Sequence, residues 1–580
     1  MLRRLFALCL AASLGACATE RMTVTHAAAA GAAPDAAQPP APPADTSSYG
    51  LFLAGEAARD EGHLGAAAFY LTRAAAVEGG PPYLRADAFN AALQAGDIAG
   101  AAALAPDAAD SGADASLGRL VRGVEAMAEG RDRDAYVLLA SAGPGGPPAT
   151  AAQLLAPFAA AGAGDAAHAL ARPVIDADLI SQFIADLDRA ELQERLGKRD
   201  AAEASYKVIA GLDESGLVVN AYAGFLERRG RWADAIALYR ARIDHAPSDA
   251  GAAAGLALAL RHAKPPPLGD LRQGAAGALT ISAAALSSQK QELAALDDLR
   301  LALRLDPAQD DAWLLLGELL APADLDGARA AYASVSAGSD NYVAARDKLA
   351  WTYQSAGDHD TALKVARETL AAAPASRDAA ANLADLLRGD DQYTESAVVL
   401  TRLIDAPGGQ GDWRLYYARA SSYEEIGDAA RTEADLQAAL KLNPDQPELL
   451  NFQGYFWIDR GEHLKEGLAM IHRAVDADPQ SGEIVDSLGW AYYRLGDYAS
   501  AVAKLEQAIT LDPGIPEVND HLGDAYWRVG RKTEAQFQWR RVLSLAPDAK
   551  LKARVEAKLA SPLGPDASQA PPPPPQSCTP

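Results

Sequence analysis

The sequence predicts an all-α protein, a solenoid of stacked antiparallel helix pairs. The main observation is a period of 34 residues near the C-terminus, in which one pattern of residue types occurs twice. Apolar residues inside each period follow the helical spacing of three and four, and glycine or proline stands where a helix should end. The pattern reads Leu488-Gly489, Tyr492, Gly496, Ala501, Leu505, Ala508, Pro513 and then Leu522-Gly523, Tyr526, Gly530, Ala535, Trp539, Val542, Pro547.

Each period is predicted to form two helices, which in the first copy run roughly from Glu483 to Leu495 and from Tyr498 to Leu511. Gly496 is expected to end the first helix in a left-handed turn, which glycine adopts at low cost. Pro513 follows the second helix and cannot continue it. One pair cannot cover its own apolar face, so neighbouring pairs must stack.

The residues expected at the interface between the two helices are of two sizes. Small residues are expected where the two backbones approach each other, and large apolar residues where the gap must be filled. The small ones are Gly489, Ala501 and Ala508, and the large ones are Leu488, Tyr492 and Leu505.

The period and these residue types resemble the tetratricopeptide repeat (TPR). The resemblance covers most of residues 48 to 548 and implies a TPR superhelical solenoid of antiparallel helix pairs. It also implies a concave groove lined by the first helix of each pair. Such a groove favours binding of proteins or peptides over catalysis, although the fold does not identify the ligand.

The chain is predicted to comprise seven segments. They are a signal peptide (1–16), a lipidated cysteine with an Ala/Pro-rich tether (17–47), degenerate N-terminal helical repeats (48–260), an irregular helical segment (261–309), a regular C-terminal array (310–548), a capping helix (549–560) and a disordered Pro-rich tail (561–580).

The N-terminal segment resembles a bacterial lipoprotein signal. Arg3 and Arg4 precede an apolar stretch that is too short to span a bilayer, and Leu14-Gly15-Ala16-Cys17 resembles a lipobox. The resemblance implies cleavage before Cys17, lipidation of its thiol and anchoring of the mature protein at the periplasmic face of the outer membrane. An ordinary secretory signal remains the alternative.

Composition narrows the class of partner. The formal net charge is −24 and the isoelectric point about 4.8, which argues against nucleic acid because phosphates require a basic footprint. The acidity favours either simple solubility or the attraction of basic partners. No catalytic or metal-binding motif occurs, so we expect no enzyme activity, no metal and no cofactor.

The TPR resemblance identifies the residues expected to line the groove. Asp486 and Asp520 stand where some TPR domains carry lysines that hold a terminal carboxylate, so a basic or neutral ligand segment is expected instead. The alternative is that these residues pack between neighbouring first helices. The predicted groove residues are Trp351, Glu483, Asp486, Trp490, Tyr493, Arg494, Glu517, Asp520, Asp524, Trp527 and Arg528, preceded by Glu448, Asn451, Tyr455, Ile458 and Asp459.

The stretch from Asp486 to Leu545 also looks like a group of proteobacterial TPR lipoproteins. Some members of that group deliver cell-wall hydrolases to a periplasmic carboxy-terminal processing protease. The resemblance therefore implies a membrane-anchored scaffold or adaptor that presents substrates to an envelope protease. The alternative is an assembly factor for a polysaccharide-export or secretion machine.

Overall fold

The computed structural model describes residues 46–77, 83–106, 113–141, 145–171, 175, 179–211, 216–247, 249–265 and 267–561. All regular secondary structure in these ranges is helical, so the predicted all-α fold of the TPR solenoid class is confirmed. The predicted signal peptide, Cys17, nearly all of the tether and nearly all of the Pro-rich tail lie outside the described residues. The chain divides into two compact units, 1–379 and 380–580.

The first unit is a succession of helix pairs. In chain order its helices are α1 (Ser48–Asp60), α2 (Leu64–Ala76), α3 (Tyr83–Ala95), α4 (Ile98–Leu104), α5 (Ala113–Ala128), α6 (Asp132–Ala140), α7 (Gly146–Gly162), α8 (Ala166–Leu170), α9 (Leu179–Arg195), α10 (Arg199–Ala210), α11 (Leu217–Arg228), α12 (Trp232–His245), α13 (Ala250–Leu260), α14 (Leu271–Ser288), α15 (Glu292–Leu305), α16 (Asp310–Leu320), α17 (Leu325–Ala333), α18 (Tyr342–Ser355) and α19 (His359–Ala372).

The second unit begins within α20 and is the more regular of the two. Its helices are α20 (Arg377–Gly389), α21 (Tyr393–Asp405), a short 3-10 helix (Gly409–Gly411), α22 (Trp413–Glu425), α23 (Ala429–Leu442), α24 (Pro447–Arg460), α25 (Leu464–Ala477), α26 (Gly482–Arg494), α27 (Tyr498–Leu511), α28 (Pro516–Arg528), α29 (Lys532–Ser544) and α30 (Ala549–Ala560).

The pair α26–α27 shows how the sequence specifies one repeat. The Ser481 hydroxyl accepts the backbone N–H of Ile484 and caps the start of α26. Gly496 has φ = +84°, so the predicted left-handed turn is confirmed. A Cβ on Gly489 would lie 2.6 Å from Leu505 Cγ, so the predicted close approach of the two helices is also confirmed. The small residue is required because no methyl group fits there.

The segment 261–309 differs from the prediction of an irregular stretch. It contains α14 and α15, two long helices that pack closely against each other. Asp270 and Gln273 form a reciprocal capping box at the start of α14. The abundance of alanine, glycine and proline around residue 265 suggested irregularity, but alanine is the best helix former and the cap fixes where the helix begins.

This α14–α15 hairpin packs on the N-terminal repeats through arginines. Arg272 Nε donates to the Met127 carbonyl at 2.8 Å, and Arg300 Nε donates to the Gln94 carbonyl at 2.9 Å. Both carbonyls belong to the last turn of a helix, where backbone acceptors have no intrahelical partner. The hairpin is therefore part of the first unit, which extends to residue 379.

Candidate protein-binding groove

The first helices of the last repeats form one row in the second unit. Helix α26 packs directly on both α24 and α28, whereas the second helices pack mainly on the first helices beside them. A wall whose first helices lie closer together than its second helices curves toward the first helices. We call this face the inner wall, and its residues are Glu448, Asn451, Tyr455, Asp459, Glu483, Asp486, Trp490, Tyr493, Arg494, Glu517, Asp520, Asp524, Trp527 and Arg528.

Three side-chain contacts join neighbouring first helices along this wall. Arg494 Nη1 lies 2.5 Å from Asp459 Oδ1, His521 Nδ1 lies 2.9 Å from Asp486 Oδ2, and Arg528 Nε donates to Tyr493 Oη at 3.2 Å. Each contact joins residues 35 positions apart. Part of the predicted groove therefore packs between neighbouring first helices, which is the alternative left open by the sequence.

The last repeat is closed by the chain itself. Asp520 is 1% exposed and lies 3.0 Å from Arg554 Nη2 and 2.7 Å from Lys558 Nζ. Lys558 Nζ also lies 2.8 Å from Asp524, and Trp539 Nε1 donates to Asp524 Oδ1 at 3.1 Å. Both carboxylates are thus neutralised by the predicted capping helix, so neither is open to a ligand in this structure.

Trp490 lies at the centre of the inner wall. Its ring stacks on Tyr493 at 4.8 Å between centroids and on His521 at 4.2 Å, with interplanar angles of 9° and 19°. This stack joins α26 to α28. The indole is partly exposed, so the ring serves both as packing between helices and as part of the surface.

Three polar atoms of the neighbouring helices α24 and α26 are buried and have no hydrogen-bond partner among the residues that the structure describes. They are Trp490 Nε1, Asp486 Oδ1 and Asn451 Oδ1. Asn451 and Asp486 occupy the equivalent position of consecutive first helices, 35 residues apart. A buried polar atom that is left unpaired costs about 1–3 kcal/mol, and unpaired groups in native structures call for an explanation. A ligand with both donors and acceptors would satisfy all three.

The electrostatics of the wall are acidic. Burial raises the pKa of the Tyr455 phenol above its ordinary value, and the charges of Asp459, Asp486 and Glu424 raise it further. Burial opposes protonation of His521, but Asp486, followed by Asp520 and Asp524, outweighs it and raises the histidine pKa. The carboxylates around His521 therefore favour its protonated form.

The remaining predicted groove residues are divided between surface and core. Glu483, Arg494 and Glu517 are exposed, and Trp527 is half-buried with its ring 5.5 Å from that of Trp539. Ile458 is 1% exposed and belongs to the core, which is a correction to its predicted place in the groove. Ile458 packs between helices, where an isoleucine fits better than at a solvent-exposed surface.

Trp351 belongs to the first unit, on α18. Its side chain is 45% exposed, and the residue before it in the chain, Ala350, is fully buried. Trp351 is thus a surface tryptophan on a first helix, as expected for a groove position, and its role in binding stays a prediction.

Three wall-forming residues were not identified from the sequence. His521 lies 35 residues after Asp486, and Arg554 and Lys558 lie 34 residues after Asp520 and Asp524. The signal was the period itself, because a residue one period later lies beside its equivalent on the next first helix. Continuing the period into α30 would have found the two cations.

Within the described ranges, no cluster of three or more histidine, cysteine, aspartate or glutamate side chains could hold a metal ion. The same residues include no helix with the length and hydrophobicity needed to cross a bilayer.

Comparison with protein families supports the repeat assignment. A family model described as tetratricopeptide repeat matches residues 348–410 and 417–482, and one described as TPR repeat matches residues 489–530. These stretches, which include most of the inner wall, match the tetratricopeptide repeat. The fold is that of a TPR-type helical repeat protein, a class in which the repeats generally bind proteins or peptides.

A sequence relative matches a short part of the chain. A TPR repeat-containing protein of Pseudomonas aeruginosa is 36% identical over 90 residues, so the match covers 16% of this chain and 15% of the relative. Among solved structures, a tetratricopeptide repeat protein from Parabacteroides merdae is 15% identical with a TM-score of 0.35, covering 48% of this chain and 96% of that chain.

A second solved structure, YrrB, is described as a TPR protein with an unusual peptide-binding site. It is 15% identical with a TM-score of 0.25 and covers 33% of this chain and 97% of its own. At these TM-scores the two likenesses carry no argument about this chain.

Proposed function

We propose that this protein is a non-enzymatic scaffold that binds partner proteins through the inner wall of its second unit. The observation that supports this most directly is that the buried atoms Trp490 Nε1, Asp486 Oδ1 and Asn451 Oδ1 have no hydrogen-bond partner among the described residues and belong to two neighbouring first helices of the inner wall. A polypeptide segment offers backbone N–H and C=O groups that match this mixture of one donor and two acceptors.

The cellular setting is part of the same proposal. Lipidation of Cys17 would hold the scaffold at the periplasmic face of the outer membrane, where it would present cell-wall hydrolases to a carboxy-terminal processing protease. This part is supported by the resemblance of the N-terminal segment to a lipobox and of residues 486–545 to TPR lipoproteins. Replacing Cys17 with serine should release the protein from membranes, and continued retention would contradict the lipid anchor.

Affinity capture tests the binding role. The mature chain would be used as bait in a detergent-solubilised envelope fraction, in parallel with Trp490→Ala and Phe537→Ala. Trp490 lies in the inner wall, whereas Phe537 is an exposed aromatic residue on the second helix α29. Partners are expected with the parent chain and Phe537→Ala and should be depleted with Trp490→Ala at equal helix content.

The identity of the captured proteins decides the finer proposal. A protease recovered together with hydrolases supports the adaptor role. Export or secretion subunits in its place would favour the assembly role and contradict the adaptor. Equal recovery of partners by all three baits would remove the inner wall as the binding surface.

A further inference from the structure

Asp486 and Asp520 are equivalent carboxylates in consecutive repeats, 34 residues apart, yet their surroundings differ. Asp520 has two cationic partners, Arg554 and Lys558. Asp486 is 7% exposed, and its Oδ2 is paired with the imidazole of His521. Within the described part of the chain, its other oxygen, Oδ1, has no hydrogen-bond partner.

The period explains this difference. One repeat after Asp520, helix α30 presents Arg554, and four residues further Lys558. One repeat after Asp486, helix α28 presents Asp520 and Asp524 at these same positions. The chain therefore supplies a lysine and an arginine to the last carboxylate, and two further carboxylates and the imidazole of His521 to the preceding one.

The contact between α28 and α30 shows what this wall position accepts. Lys558 Nζ reaches Asp520 and Asp524 at 2.7 and 2.8 Å while its aliphatic stem is covered, since its side chain is 11% exposed. A lysine or arginine thus fits against a first helix of this row, with its charge on the aspartate.

We propose that Asp486 binds a lysine or arginine side chain of an extended partner segment, whose backbone pairs with Trp490 Nε1 and Asn451 Oδ1. This rests on the proposed function and specifies its ligand as a basic peptide segment. A cation is favoured over a neutral donor because the equivalent carboxylate of Asp520 is bound by an arginine and a lysine, whereas Asp486 is bound by the imidazole of His521.

The competing cation is His521, which faces Asp486, Asp520 and Asp524. It stacks on Trp490 and reaches Oδ2 of Asp486, so Oδ1 is left for the ligand. A carboxylate has room for both donors because each oxygen accepts hydrogen bonds independently.

The test uses arrays of short random-sequence peptides with one fixed central residue, either arginine, lysine, citrulline, glutamine or glutamate. Citrulline keeps the shape of arginine and removes its charge. The parent chain should bind arginine and lysine peptides at least about tenfold more tightly than citrulline peptides, as expected for a charge-assisted hydrogen bond. This comparison needs no variant of the protein.

Asp486→Asn should abolish the preference for arginine over citrulline while neutral peptides still bind. The matched control Glu466→Gln removes an exposed carboxylate from the second helix α25, outside the inner wall, and should keep the preference. Peptide binding without any charge preference would overturn the cation site and leave the proposed function standing. No binding by any peptide would overturn both.

Discussion

The ammonium group of Lys558 lies 2.7 Å from the carboxylate of Asp520, one repeat earlier in the array, and this contact closes the end of the inner wall. Asp520 is almost fully buried, so its charge depends on the partner that α30 supplies. Buried ion pairs contribute little net free energy when intact, but loss of one partner leaves a buried charge uncompensated.

Lys558→Met leaves Asp520 with Arg554 alone and removes the cation beside the buried Asp524, so it should destabilise the second unit by about 3–5 kcal/mol. Urea unfolding followed by tryptophan fluorescence measures this, since Trp539 donates to Asp524. The control Lys552→Met removes an exposed lysine from the same helix and should change stability by less than about 0.5 kcal/mol. Equal effects of the two variants on stability would contradict the contact between Lys558 and Asp520.

Trp539 fills the space between α28 and α29, where its side chain is fully buried. Trp539→Ala should cost about 3–5 kcal/mol, because the cavity adds to the lost burial of the ring. Phe537→Ala, two residues away and exposed, should cost less than about 0.5 kcal/mol. Chemical unfolding of the two variants checks this, and a large loss for Phe537→Ala would show that the exposed ring packs against something else.

The α15 helix carries two acidic residues inside the first unit. Burial raises the pKa of Asp298 to about 8 and that of Asp297 to about 7. Because an aspartate in the unfolded chain titrates near about 4, the folded state keeps protons that the unfolded state releases. The stability they contribute is complete below about pH 4 and is lost as the pH rises toward 8.

Asp298→Asn should remove much of this pH dependence and stabilise the first unit by roughly 1–3 kcal/mol at pH 8. The Ser282 hydroxyl, which donates to Asp298 Oδ2 at 2.8 Å, can still donate to the amide oxygen. Thermal unfolding between pH 5 and 8 measures the effect, with the exposed Asp200→Asn as control. Parallel stability curves for Asp298→Asn and the parent chain would contradict the raised pKa values.

Two glycines test the packing of the first unit. Gly62 and Gly197 share a left-handed backbone, with φ of +80° and +74°. A Cβ on Gly62 would overlap the carbonyl of Ala323, whereas a Cβ on Gly197 meets nothing within 4 Å. Gly197→Ala should therefore cost only the backbone strain, about 1 kcal/mol.

Gly62→Ala adds a shift of the Ala323 backbone and should cost roughly 2–4 kcal/mol. Thermal or urea unfolding compares the two variants. Equal losses would show that the turn at Gly62 does not pack on residue 323.

Most of the repeat architecture was predictable because it is periodic. Gly496 marks a left-handed turn, and Gly489 marks the close approach of two helices. Each requirement recurs every 34 residues, so it is visible in the sequence.

The docking of α14 and α15 on the N-terminal repeats was not predictable. Arg272 and Arg300 bind backbone carbonyls 145 and 206 residues earlier, and an arginine that binds a carbonyl leaves no pattern in the partner's sequence.

The position of the inner wall was predictable, but the contacts between its side chains were only partly predictable. The period placed Asp486 and Trp490 on one face, but it did not show that His521 would stack on Trp490 or that α30 would neutralise Asp520. Those contacts depend on side-chain geometry across neighbouring repeats. The sequence alone therefore could not show which of these carboxylates is neutralised by cations from the next helix.

Site-specific photo-crosslinking in living cells tests most directly whether the inner wall binds partners. A benzoylphenylalanine would replace Glu483, an exposed residue of the inner wall, and in a second strain Phe537, exposed on α29. We expect crosslinks to a partner protein from position 483 and none from position 537. The crosslinks from position 483 should be lost when Asp486→Asn or Trp490→Ala is added. Crosslinks to the same partner from position 537 alone would contradict it.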